Sequence, residues 1–166
     1  MNESPEELAE LQSLLDSSYA SAGPHLLSIH TDNWRMSAEQ VVERLQGMVL
    51  LSLATVNSKG EPIASPVDGM FYRGRFWCGS ARNSMRAIHI RNNPAVSATH
   101  TVGEELAVTV HGKALVLDRS TERAAGFRKL LMEIYGKATT DGHWSGEVDY
   151  WEIEPRRMFA LAPSIS

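Results

Sequence analysis

From Met48 to Asp118 the chain is a series of β-prone runs separated mostly by turns too tight to hold a crossover helix, which restricts it to an antiparallel sheet. Met48 to Val56 is strongly apolar, Asn57-Ser58-Lys59-Gly60 is turn chemistry, and Pro62 to Met70 returns as a hairpin partner. Arg73-Gly74 makes the next tight turn, into Arg75 to Gly79. A short helix over Ser84 to Asn92 is closed by Asn93-Pro94, and Ala95 to Val102 then pairs with Leu106 to Asp118 across Gly103-Glu104. Gly112 breaks the alternation of the second of these strands, as a bulge or a barrel corner does.

The flanking segments read as helices and closing strands. Ser4-Pro5-Glu6-Glu7 combines an N-cap serine, a first-turn proline and an acid three residues after the cap, followed by Leu8, Leu11 and Leu15 at helical spacing to about Tyr19. Ser21-Ala22-Gly23-Pro24 breaks that pattern, and His25 to Arg35 has no clear period. Ser37-Ala38-Glu39-Gln40 is a second capping box, before Val41, Val42 and Leu45, with Gly47 ending the helix. Ser120 is placed as the cap of a helix carrying Ala124, Phe127, Leu131 and Ile134 on one face, with Gly136 at its end. Lys137 to Gly146 is loop-like, and Glu147 to Glu154 and Arg157 to Ala162 read as final strands divided by Pro155. The expected architecture is mainly β: an antiparallel barrel with peripheral helices, residues 37–166, preceded by a helical arm, residues 1–36. The leucine stripe of that arm requires burial on the barrel or across an interface.

The segment Gly79-Ser80-Ala81-Arg82-Asn83-Ser84-Met85-Arg86 ends a strand and opens a helix, crowding hydroxyls, an amide and two guanidinium groups. A phosphate needs that chemistry, since a helix N-terminus offers unpaired N–H groups and arginine adds charge-assisted hydrogen bonds. Arg82, Ser84 and Arg86, with Ser80 beside them, are the candidate phosphate ligands. In Ala64-Ser65-Pro66-Val67 the proline cannot donate a ladder hydrogen bond, which places an edge or bulged strand there.

Leu51 to Val67, Phe76-Trp77-Cys78-Gly79-Ser80, Asn92-Asn93-Pro94-Ala95-Val96-Ser97 and Val110-His111-Gly112-Lys113-Ala114 together resemble the pyridoxamine 5'-phosphate oxidase-like family of flavin- or deazaflavin-binding split barrels, over roughly residues 38 to 118. The resemblance implies a six-stranded antiparallel split β-barrel, working as a homodimer with its cofactor at the subunit interface. It implies FMN, with the deazaflavin coenzyme F420 as an alternative and haem as a third, because some split-barrel relatives bind haem. It also brings Ser65, Pro66 and Val67 to the cofactor. In the family's Ser-x-Lys-x-x-Asn pattern Arg86 stands in place of the lysine and His89 in place of the asparagine. Trp151 and Arg157 are candidates for the C-terminal aromatic and arginine that relatives supply from the partner subunit, although the spacing of the true oxidases is absent. The implied function is a flavin- or deazaflavin-dependent oxidoreductase of a small molecule, with NAD(P)H among the expected partners. A non-catalytic carrier or sensor of flavin or haem is the other reading, and no general acid or base stands out in the sequence to separate them.

Composition narrows the field further. The chain has 166 residues and a net charge of −4, so one domain is expected and a general nucleic-acid binder is not. Its one cysteine, Cys78, sits in an apolar strand and reads as a buried thiol, which together with the acidic start Met1-Asn2-Glu3-Ser4 and the lack of a membrane-length apolar run points to the cytoplasm. His100 and His111 lack a third ligand at metal spacing, so no metal site is expected. GxGxxG, P-loop, HExxH and GxSxG motifs are all missing, which leaves reaction chemistry to a cofactor.

Overall fold

The computed structural model describes residues 2–163. Six strands close into an antiparallel barrel in the order β1-β2-β3-β6-β5-β4. They are β1 (Met48–Val56), β2 (Pro62–Tyr72), β3 (Arg75–Ala81), β4 (Ala95–Val102), β5 (Leu106–Val116) and β6 (Val148–Leu161). Around them lie α1 (Pro5–Ala20), α2 (Pro24–Ile29), α3 (Ala38–Arg44), α4 (Met85–Asn92), α5 (Glu122–Tyr135) and α6 (Lys137–Gly142).

Local chemistry sets most of these boundaries. Both capping boxes close as reciprocal bonds, Ser4 with Glu7 and Ser37 with Gln40. In the β1–β2 turn the Asn57 side-chain oxygen accepts from the Lys59 and Glu61 N–H groups, at 2.9 and 3.0 Å. The β2–β3 turn needs positive φ at both Arg73 (51°) and Gly74 (75°). Arg73 is held in that conformation by an ion pair to Glu7 at 2.6 Å, which ties the arm to the hairpin.

Alternate residues of the strands fill the barrel: Leu51, Leu53, Phe76, Val108, Val110, Trp151, Ile153 and Met158 are essentially inaccessible. Leu11 and Leu15 of α1 belong to the same core, with Leu8 packed on its margin. β6 pairs with β3 only over residues 148–152, so beyond that the barrel splits and one edge of β6 lacks a strand partner. α1 closes the split: Ser18 Oγ accepts the Met158 N–H at 2.9 Å, and the Tyr19 hydroxyl donates to the Ala160 carbonyl at 2.9 Å.

The structure departs from the sequence reading at four places. Residues 24–29, expected to be irregular, form α2 behind Pro24. Thr121, not Ser120, caps α5, because the Ser120 hydroxyl and N–H are both taken by Asp118. Residues 137–146, expected to be a loop, form α6 and most of a π-helical turn, His143–Glu147, with α6 held to α5 by an Arg128–Asp141 ion pair, and the last strand starts at Val148 instead of Glu147. β6 runs unbroken through Pro155, which stands opposite Gly112 beside a bulge that leaves Arg156 without a cross-strand partner.

Candidate functional site

β3 ends at Ala81, and the Arg82-Asn83 turn delivers Ser84 as the N-cap of α4, its side chain accepting the Ala87 N–H at 3.2 Å. The Ser80 hydroxyl donates to Ser84 Oγ at 3.0 Å. The N–H groups of Met85 and Arg86 lie in the first turn, where a helix offers no internal acceptor. One side of β2 is free below Gly69, because β3 pairs only with Gly69 to Tyr72. Arg86 occupies that edge. Its Nη2 donates to Ser65 Oγ and to the Pro66 carbonyl, both at 2.7 Å, while its Nε is buried with no protein acceptor. Ser65, Pro66, Ser80, Ser84 and Arg86 therefore form one cradle, with Val67 buried directly behind it.

Four sequence candidates fall elsewhere. Arg82 is committed to Asp149 on β6, with Nε to Oδ1 at 3.0 Å, and Arg91 takes the other oxygen at 3.0 Å. The two arginines clamp the turn to β6 around one carboxylate. His89 lies one turn beyond Arg86 but is buried against β1, its Nδ1 3.0 Å from Thr55 Oγ1. The Thr55 hydroxyl also lies 3.4 Å from the Ile63 carbonyl, which ties His89 and β2 to the same side chain. Trp151 points into the barrel at 0% exposure, which removes it from any interface. Arg157 is exposed on β6, at the end of the cross-strand row Ala64, Ala54, Ser97, His111, Arg157, four strands from the cradle.

Beside the cradle, sharing Ser80 with it, a cavity of about 240 Å3 opens between the outer surface of β2 and β3 and the end of α5. Met70, Phe127, Leu131, Val148 and Tyr150 make its apolar walls. Asp68, Cys78, Tyr135, His143 and Tyr150 are its titratable groups. The Tyr135 hydroxyl donates to Asp68 Oδ2 at 3.2 Å. Burial, and then the neighbouring Asp68 charge, push this phenol up to about 12, so it stays protonated at neutral pH. No local pattern announces this pair, because its members are 67 positions apart.

Each strand histidine is engaged separately, His100 Nδ1 with the Leu50 carbonyl at 2.9 Å and His111 Nδ1 with Ser97 Oγ at 2.8 Å. Among the described residues there is no cluster of three or more side chains able to hold a metal ion, and no helix long and apolar enough to cross a membrane.

The family model described as pyridoxamine 5'-phosphate oxidase matches residues 37–162. Among solved structures, a conserved hypothetical protein of Mycobacterium tuberculosis superposes with a TM-score of 0.66 at 18% identity, over 82% of this chain and 95% of its own. The haem storage protein HutZ of Vibrio cholerae gives a TM-score of 0.62 at 19% identity, over 74% and 93%. An F420 reductase gives 0.52 at 17% identity, over 69% and 91%. Likeness at these identities is a likeness of fold. No curated protein matches the chain.

Proposed function

The chain belongs to the pyridoxamine 5'-phosphate oxidase family, and on that premise we propose that it holds the phosphate of FMN in the Ser65–Arg86 cradle and serves as a flavin-dependent oxidoreductase of a small molecule. The observation that carries the reading is Arg86: a guanidinium fixed by Ser65 and Pro66, with a buried Nε that has no protein acceptor. An orphaned buried donor costs about 1–3 kcal/mol, and a phosphate oxygen at the head of α4 would relieve it. Ser80, Ser84 and the first-turn N–H groups offer further donors to the same anion. When bound, the flavin supplies the hydride chemistry, and the chain supplies binding and orientation. Coenzyme F420 carries a phosphate that the same cradle suits, and the F420 reductase among the fold neighbours favours it as the alternative.

The partner assigned by this reading is a second copy of the chain. Across β2, β1, β4, β5 and β6 the outer rows Ala64, Ala54, Ser97, His111 and Pro66, Ser52, Thr99, Thr109 carry short side chains with no helix over them. Such a surface suits face-to-face packing, and it would bring Arg157 of one copy toward the cradle of the other. A non-catalytic haem carrier is the second reading, favoured by the likeness to HutZ.

Fluorescence titration of cofactor-free protein with FMN is the test. Binding that weakens by about 1.5–3 kcal/mol in Arg86→Ala, with partial retention in Arg86→Lys, supports the cradle. Equal affinity in wild type and Arg86→Ala would remove it. The absorption spectrum of the purified protein separates the two-band flavin, the deazaflavin and the Soret band of haem.

A further inference from the structure

We propose that the cavity between β2, β3 and α5 is the substrate site, and that it takes a small, largely apolar, non-phosphorylated molecule whose polar end is neutral or cationic and is received by Asp68. The catalytic sense of this assignment rests on the flavin reading, whereas the binding it describes does not.

The charge pattern sets the class. A second phosphate or a carboxylate would need a guanidinium or ammonium group in the cavity, and no Arg or Lys lines it. Arg86 is engaged in the adjoining cradle, and two further arginines near the walls are committed elsewhere. Arg119 donates to the Trp144 and Val148 carbonyls and stacks over Trp144, with 5.3 Å between its guanidinium carbon and the ring centroid. Arg128 is paired with Asp141. What remains is one carboxylate, Asp68, with the imidazole of His143 in the same lining, and the carboxylate repels an anion and attracts an amine or a ring N–H. Size sets the second limit. At about 240 Å3 the space lies below the roughly 300–1,000 Å3 typical of sites for drug-sized ligands, which restricts the occupant to a single ring or a short chain. Apolar walls supply affinity, and the polar end fixes orientation. Tyr135, whose hydroxyl donates to Asp68 within the same lining, is a positioning residue that fixes the carboxylate for the bound polar end.

The position explains why the site adjoins the cradle without duplicating it. Ser80 belongs to both, so a molecule in the cavity lies next to a phosphate-anchored cofactor. The requirement for an anion is met once, at Arg86, and the cavity is acidic.

Three one-ring probes test this on the full-length protein without cofactor: benzylamine, benzyl alcohol and benzyl phosphate, followed by amide chemical-shift perturbation. The expected result is shifts at Phe127, Leu131 and Tyr150, with benzylamine binding at least about tenfold tighter than benzyl phosphate. Asp68→Asn, an exposed substitution that spares the core, should reduce benzylamine to the affinity of benzyl alcohol, and Leu131→Trp should fill the space and abolish binding of both. Benzyl phosphate binding as well as benzylamine, or shifts confined to other surfaces, would overturn the proposal. If FMN binds and displaces benzylamine one for one, the cavity belongs to the cofactor and the substrate assignment fails while the flavin reading stands. If benzylamine binds as expected and FMN does not bind at all, the cavity assignment holds and the flavin reading fails.

Discussion

Arg82 and Arg86 are four residues apart in a single basic segment, yet the fold gives them different work. Arg86 turns back onto the β2 edge with a donor to spare, whereas Arg82 shares Asp149 with Arg91 and has a side chain 62% exposed. Arg82→Ala is therefore expected to lower FMN affinity and stability by less than about 1 kcal/mol, the range of exposed ion pairs, against the larger loss for Arg86→Ala. Equal losses of affinity in parallel titrations would mean that Arg82 leaves Asp149 to meet the ligand. The phosphate chemistry of the segment was legible in its residue types, but the division of labour was not, because Asp149 lies 67 positions away. Trp151 illustrates the same limit: the family resemblance suggested an interface, and only the register of β6 shows that it faces inward. Cys78 was legible as a buried thiol, and burial pushes it from 9.0 up to about 12. A group favoured in its neutral form contributes stability that is complete below its unfolded value and is lost as pH rises toward the folded one. Denaturant midpoints should accordingly fall between about pH 9 and 12, with Tyr135 adding in the same sense from its ordinary 10.0. Replacing Cys78 with alanine should move the onset upward toward the tyrosine range. A midpoint that is flat with pH in wild type would refute the account.

At the scale of elements, the arm is part of the barrel's closure. Where β6 diverges from β3, Ser18 and Tyr19 supply the hydrogen bonds a neighbouring strand would have made. Ser18→Ala leaves the Met158 N–H buried without an acceptor and should cost about 1–3 kcal/mol, read as a lowered melting temperature with FMN affinity retained. Wild-type stability in that variant would show that water substitutes at the split. Elements with local signals were readable: the boxes at Ser4 and Ser37, the Asn57 turn and the Gly112 bulge all announce themselves within a few residues. α6 was hidden because Lys137-Ala138-Thr139-Thr140-Asp141-Gly142 has weak intrinsic helicity and is held by the Arg128–Asp141 contact to α5. Ser120 and Thr121 are both competent caps, and the bonds of Ser120 to Asp118 decide between them. The cavity escaped the sequence for a related reason, since its walls come from β2, β3, α5, the π-helical turn and β6, and no single element carries its pattern.

For the whole molecule, the distribution of helices leaves one broad surface bare. α5 covers Met70, Tyr72 and Trp77 on the outside of β2 and β3, and α1 covers the split, while the middle of the outer face of β1, β4 and β5 carries Ser52, Ala54, Ser97, Thr99, Thr109 and His111, with Leu50 exposed beside them. Two hydroxyl-bonded pairs, Thr99 with Thr109 at 2.8 Å and Ser97 with His111 at 2.8 Å, hold these side chains flat against the sheet. A flat, short-chained face is poorly suited to solvent exposure beside Leu50 at 56% exposure and well suited to a copy of itself, as an isologous dimer requires. The protein should therefore sediment at twice 18.4 kDa at micromolar concentration. Thr99→Arg places a long charged side chain at the centre of this face without touching the core, so it should yield an 18.4 kDa monomer that keeps its melting profile. Because Arg157 can meet a cradle only across such an interface, the monomer should also bind FMN more weakly, and Arg157→Ala should weaken binding in the dimer but not in the monomer. A wild-type protein that sediments at 18.4 kDa and binds FMN with undiminished affinity would place the complete site within one chain and leave the bare face without this partner.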